Sequence, residues 1–74
     1  MDKIIIEHYR NNVWEKAKIY RNNILITVVN RFYEVDKDFI YIYDEFGGSG
    51  TGYVKGNLIQ KINITNCEME TKIM

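Results

Sequence analysis

Ile24-Leu25-Ile26-Thr27-Val28-Val29-Asn30-Arg31-Phe32-Tyr33 is the stretch on which the fold turns. Five of its first six side chains are β-branched, and two aromatics close it. Such side chains lose rotamer freedom in a helix and pack well on a pleated surface, so the stretch predicts a strand. Ile24, Ile26 and Val28 fall on one face, with Leu25, Thr27 and Val29 on the other. Both faces are apolar, which predicts a central strand covered on both sides.

Moving toward the N-terminus, Arg21-Asn22-Asn23 reads as a hairpin turn. The segment before it, Val13 to Tyr20, supports two readings. As a strand it sets Trp14, Lys16, Lys18 and Tyr20 against Val13, Ala17 and Ile19; as a helix it gathers Val13, Ala17 and Tyr20 on one stripe. The turn that follows favours the strand. Asn11-Asn12 marks an earlier turn, and Ile4-Ile5-Ile6 a first strand. Toward the C-terminus, Glu34 to Asp38 is a charged turn and Phe39 to Tyr43 a strand. Four of the five glycines lie between Gly47 and Gly52, which predicts a flexible loop. Tyr53-Val54 begins a short strand and Gly56-Asn57 a turn. Leu58 to Ile64 forms the last strand, with Leu58, Gln60, Ile62 and Ile64 on one face. Short strands separated by polar turns predict an all-β or mostly β fold. At this size the expected architecture is a five-stranded, strongly bent SH3-like or Sm-like barrel, the one helical alternative lying near residues 13–20. The domain is expected to span residues 1–65, with a loosely ordered tail over 66–74.

A chain of 74 residues is short for a doubly wound nucleotide-binding fold or a two-domain enzyme. Its 46% hydrophobic content is too high for a disordered chain. Twelve Ile, eight Asn, seven Lys and six Tyr against two Leu tilt the composition toward strands. One cysteine provides neither a disulfide framework nor a Cys-rich zinc site and suits a reducing, cytoplasmic setting. No apolar run approaches the roughly 20 residues that span a bilayer, so no membrane partner is expected.

The chemistry-bearing residues are sparse. His8 is the only histidine, and neither Ser49 in the glycine loop nor Cys67 in the tail can be tied to it as a nucleophile. A non-enzymatic protein without metal or cofactor is expected. Tyr53-Val54 follows Gly52 where a phosphate-binding loop needs Lys and Ser/Thr, so the loop is read as a connection. Gln60-Lys61-Ile62-Asn63-Ile64 loosely matches the peptide that docks bacterial proteins on the DNA sliding clamp, but its place within a strand makes it core.

Charge carries more information. Ten Lys/Arg balance ten Asp/Glu. From Glu34 to Glu45 there are five acids (Glu34, Asp36, Asp38, Asp44, Glu45) and one base, Lys37. From Arg10 to Arg31 there are five bases (Arg10, Lys16, Lys18, Arg21, Arg31) and one acid, Glu15. Neutrality is thus the sum of opposed halves. The acids bracket an aromatic strand, their two groups about 15–20 Å apart by strand rise, and suit a basic groove. Glu34, Asp36, Asp38, Tyr41, Tyr43, Asp44, Glu45 and Phe46 are the candidate partner-binding residues, with the aromatics as anchors. The rival reading is a small nucleic-acid-binding barrel that uses Trp14, Lys16, Lys18, Arg21 and Arg31. A third is a structural subunit, a homodimer among its forms, assembling through a strand edge that no proline protects.

The segment Asp36-Lys37-Asp38-Phe39-Ile40-Tyr41-Ile42-Tyr43-Asp44-Glu45, in a short chain rich in Ile, Asn, Lys and Tyr, resembles the small early proteins of lytic phages of low-GC Gram-positive bacteria. The resemblance is one of overall character. It implies an inhibitor in the host cytoplasm that presents carboxylates where a host DNA-processing protein expects DNA phosphates, with the DNA polymerase sliding clamp the leading target.

Overall fold

The computed structural model describes residues 1–10, 15–30, 32–48 and 52–74. Seven strands account for its regular structure: β1 (Lys3–Arg10), β2 (Glu15–Arg21), β3 (Ile24–Val29), β4 (Tyr33–Val35), β5 (Phe39–Gly48), β6 (Gly52–Asn63) and β7 (Glu68–Ile73). They form a four-stranded sheet in the order β3-β2-β1-β7 and a three-stranded sheet in the order β4-β5-β6. All neighbours are antiparallel except β1 and β7, which run parallel.

The all-β expectation holds. The expected five-stranded barrel is replaced by two sheets that do not close on one another. Residues 15–21 are strand, so the helical alternative near residues 13–20 fails wherever that segment is described; Val13 and Trp14 lie outside the described residues. Asn22 and Asn23, with φ of 51° and 67°, make the two-residue β2–β3 turn. Both central residues of such a hairpin turn need positive φ, which Asn tolerates better than most side chains.

The core lies between the sheets. Ile4, Ile6, Ala17, Ile19 and Val29 come from the first sheet, Ile40, Ile42 and Ile62 from the second, and Ile64 from just beyond β6. Seven of these nine are Ile, whose branched side chain fills a pleated interior in few rotamers. Strict alternation along β1 buries Ile4 and Ile6 and turns Ile5 and Glu7 to the outer face.

Two readings along the chain are corrected. The Ile24–Tyr33 run is not a central strand covered on both sides. It splits into β3 and β4, which belong to different sheets, and β3 is an edge. The tail expected to be loose over 66–74 instead supplies β7, paired with β1 from Lys3↔Glu68 to His8↔Ile73. The chain reaches it through a turn in which Cys67 N–H donates to the Ile64 carbonyl at 3.0 Å and Asn66 takes φ of 60°.

The described ends of the loop expected over Gly47–Gly52 are strand. β5 runs to Gly48 and β6 starts at Gly52, while Ser49, Gly50 and Thr51 lie outside the described residues. Beyond Ile42, which is the last β5 residue opposite β4, the two strands continue alone as a ribbon. The radius of gyration is 13.0 Å, and the extents are 45 × 25 × 17 Å. A compact chain of this length would have a radius near 11 Å, so the ribbon makes the molecule elongated.

The Gly56-Asn57 pair is not a turn but a β-bulge inside β6, where pairing steps from Tyr43↔Leu58 to Glu45↔Lys55. Asp44 stabilises it by accepting the Asn57 N–H at 2.6 Å. A Cβ on Gly56 would collide with Asp44 Oδ1 and lie 2.9 Å from the Phe46 ring. A side chain at position 56 would therefore displace the Asp44 carboxylate that holds the bulge.

Candidate functional site: the outer face of the second sheet

Burial of Ile40 and Ile42 fixes the orientation of β5, because alternation then sends Phe39, Tyr41 and Tyr43 to the outer face. Glu34 on β4 stands opposite Tyr41, and Lys61 on β6 stands opposite it from the other side. Tyr43 Oη–H donates to Glu34 Oε1 at 2.8 Å, and Tyr41 Oη–H donates to Asp36 Oδ2 at 2.8 Å. Four of the eight predicted partner-binding residues thus form two tyrosine–carboxylate pairs on one face.

Asp36 is the most heavily bonded of these acids. Its Oδ1 accepts the backbone N–H groups of Asp38 at 2.8 Å and Phe39 at 2.7 Å. These two donors, and then the Tyr41 hydroxyl, hold its carboxyl below the ordinary value of 3.8. Glu34 is held below 4.5 by the Tyr43 hydroxyl first and by Lys55 second. The two phenols are raised above 10.0, chiefly by donating to those carboxylates. The face therefore stays ionised through neutral pH, with its tyrosines protonated.

The other acids serve elsewhere. Asp38 accepts the Thr65 hydroxyl at 3.2 Å, and its carbonyl accepts the Ile64 N–H at 2.8 Å, fastening β5 to the end of β6. Asp44 holds the bulge. Glu45 is half-buried on the ribbon opposite Lys55. Phe46 is exposed on the ribbon, paired with the equally exposed Val54.

The sequence pass missed Lys55 and Lys61. Lys61 Nζ lies 4.3 Å from the Phe39 ring centroid and 5.4 Å from that of Tyr41. Lys55 Nζ lies 4.6 Å from the Tyr43 centroid and 3.5 Å from Glu34 Oε2. Both belong to the acidic strand's partner, far along the chain. Aligning Leu58–Ile64 antiparallel to Phe39–Tyr43 is the signal that would have found Lys61. On this face Glu34 and Asp36 are therefore balanced by Lys55 and Lys61, unlike the acidic segment Glu34–Glu45, and each ring has a cation near it.

The basic set is not gathered. Trp14 and Arg31 lie outside the described residues. Lys18 lies on the outer face of the first sheet, its Nζ 5.3 Å from the Tyr9 centroid, with Lys16 opposite Tyr9. Arg21 points away from them. Its Nε–H donates to Asp2 at 2.9 Å, and its other N–H groups reach the Asn63 carbonyl at 3.2 Å and Cys67 Sγ at 3.5 Å. That arrangement ties the two sheets together.

His8 also bridges the sheets. Its Nδ1 is 2.9 Å from the Tyr33 hydroxyl, and its Nε2 is 3.1 Å from Glu15 Oε2. Among the described residues no group of three His, Cys, Asp or Glu side chains is placed to hold a metal ion, and no helix is long and apolar enough to cross a membrane.

No protein-family model matches the chain, and no curated protein or solved structure resembles it.

Proposed function

We propose that this protein acts by binding another protein, with the outer face of β4-β5-β6 as its contact surface. The partner in this reading is a host DNA-processing protein whose DNA path is basic, with the bacterial DNA polymerase sliding clamp as the leading target. Inhibition is steric and electrostatic: carboxylates occupy positions that phosphates would take. The observation that carries the reading is the two neighbouring pairs Tyr43–Glu34 and Tyr41–Asp36 on one face. Its carboxylates are pre-oriented by phenol hydroxyls; Asp36 Oδ2, which among the described residues accepts only the Tyr41 hydroxyl, can take an incoming Arg or Lys, while Glu34 Oε2 is already paired with Lys55 at 3.5 Å. Pre-orientation lowers the ordering cost of association. Lys55 would exchange Glu34 for the partner's cation, a modest loss because an exposed ion pair contributes about 0–1 kcal/mol.

The test is titration of purified sliding clamp with the wild-type protein and with Glu34→Lys/Asp36→Lys. The reading expects binding that weakens as salt rises, competes with DNA and is lost in the variant. Unchanged binding by the variant contradicts the acidic-face mechanism. Direct nucleic-acid binding is the weaker reading, because Arg21 is committed to Asp2, Asn63 and Cys67. Salt-dependent retention of a labelled oligonucleotide by the isolated protein would restore it.

A further inference from the structure

The two sheets leave four outer strand edges, and three carry features that discourage strand addition. β4 is three residues long and bears Glu34. β6 is bulged twice along its pairing with β5 and bears Lys55 and Lys61. β7 carries Glu68, Glu70 and Lys72 within six residues. Short length, bulges and charge are the usual protections of a sheet edge. β3, Ile24-Leu25-Ile26-Thr27-Val28-Val29, has a single bulge, at Ile26, and is the one of the four edges with no charged side chain.

Its apolar side chains are also unusually open. Ile24 is 68% exposed, Leu25 48%, Ile26 40% and Val28 51%. The ladder pairs Tyr20 with Leu25 and Lys18 with Val28, so Ile26 is the extra residue of a bulge. Because Tyr20 and Lys18 share the outer face, the bulge turns both Leu25 and Val28 outward rather than shielding one of them. That makes an apolar rim along an edge of unpaired backbone groups.

We infer that β3 pairs antiparallel with β3 of a second copy, joining two four-stranded sheets into one eight-stranded sheet across a two-fold axis. Charge matching selects the occupant. Pairing with β4, β6 or β7 of another copy would set carboxylates or ammonium groups against exposed Ile, Leu and Val, whereas β3 against itself sets apolar side chains against apolar ones. A self-complementary contact of this kind closes as a dimer instead of growing into a filament. The basic strand β2 does not oppose it. The two copies of β2 would stand three strand spacings apart, about 14 Å, which exceeds the Debye length of about 8 Å at physiological salt. The inference is separate from the partner face, since β3 and β4-β5-β6 belong to different sheets.

Sedimentation and light scattering from about 1 μM to about 1 mM test it directly. The expected result is a reversible monomer–dimer equilibrium for the wild type, shifted to monomer in Leu25→Lys/Val28→Lys. Met69→Lys on the opposite edge should leave the dimer intact. A wild-type monomer throughout, a dimer that survives the β3 double substitution, or growth beyond the dimer would each overturn the inference. Amide hydrogen exchange on the wild type gives a second readout that does not depend on the variant folding. The β3 amides should exchange more slowly as concentration rises, and concentration-independent exchange would count against the pairing.

Discussion

Gly56 is held by neighbours rather than by a turn, and it shows how a single position can be misread. Adjacent to Asn57 it looked like punctuation, because Gly-Asn pairs end strands. Only the approach of the Asp44 and Phe46 side chains reveals that a Cβ there must push them aside. Gly56→Ala should therefore destabilise the protein by about 1 kcal/mol, the cost of displacing Asp44 from the Asn57 N–H, measured as a lower denaturant midpoint at constant m-value. Asn23 offers the opposite case. Its φ of 67° suits glycine better than asparagine, so Asn23→Gly should be neutral or stabilising by a few tenths of a kcal/mol in the same assay. The carboxylates set the pH response. Asp2, Asp36 and Glu34 are all held below their ordinary values of 3.8 to 4.5, Asp2 by Asn22 first and Arg21 second. Their folded values are depressed, so their contribution is complete above the ordinary carboxylate range. It is lost as pH falls through the lowered folded values. Thermal unfolding should show a plateau at neutral pH and a decline beginning below about pH 4.5. Asp36→Asn, which keeps the shape and removes the charge, should reduce that decline.

Strand identity was largely legible from the sequence, and strand position was not. The β-branched run at Ile24–Val29, the alternation of Phe39–Tyr43 and the Asn22-Asn23 turn each encode their local conformation through sterics. Which strand lies at an edge depends on pairing with distant segments, and apolar residues on both faces of β3 misled because they read as burial. β7 failed for the reverse reason. Met69, Thr71 and Ile73 do alternate with Glu68, Glu70 and Lys72, but the segment stays almost wholly exposed and is half charged, so its pattern reads as a polar tail. β7 is held by its parallel ladder to β1 instead. Ending the chain at Cys67 should therefore expose the edge of β1 and lower the unfolding midpoint, although it removes no core residue. Ile6→Ala, at the centre of the interior, should cost about 2–5 kcal/mol by transfer and cavity terms together. A truncation that left both the midpoint and β1 amide protection unchanged would show that β7 contributes nothing.

At the scale of the molecule, zero net charge conceals an arrangement rather than an absence of fields. Five acids, Glu34 to Glu45, lie on or beside the second sheet, and the other five lie on or beside the first, where Lys16 and Lys18 also stand. The fold then modifies what the linear charge pattern implied: Lys55 and Lys61 are laid over the aromatic rings, and Arg21 is drawn into the tie between the sheets. The acidic half of the candidate site was readable because its members are close in sequence. Its cationic counterweight was hidden because it arrives through hairpin register. What remains is a pre-oriented carboxylate–phenol face suited to a basic surface, on a chain whose elongated shape leaves it accessible. The most direct measurement is the affinity of purified sliding clamp for the wild-type protein and for Glu34→Lys/Asp36→Lys, at low and high salt. The predicted result is a loss of about tenfold or more on charge reversal, with weaker salt dependence in what binding remains. Equal affinity and equal salt dependence for the two proteins would contradict the proposed role of this face.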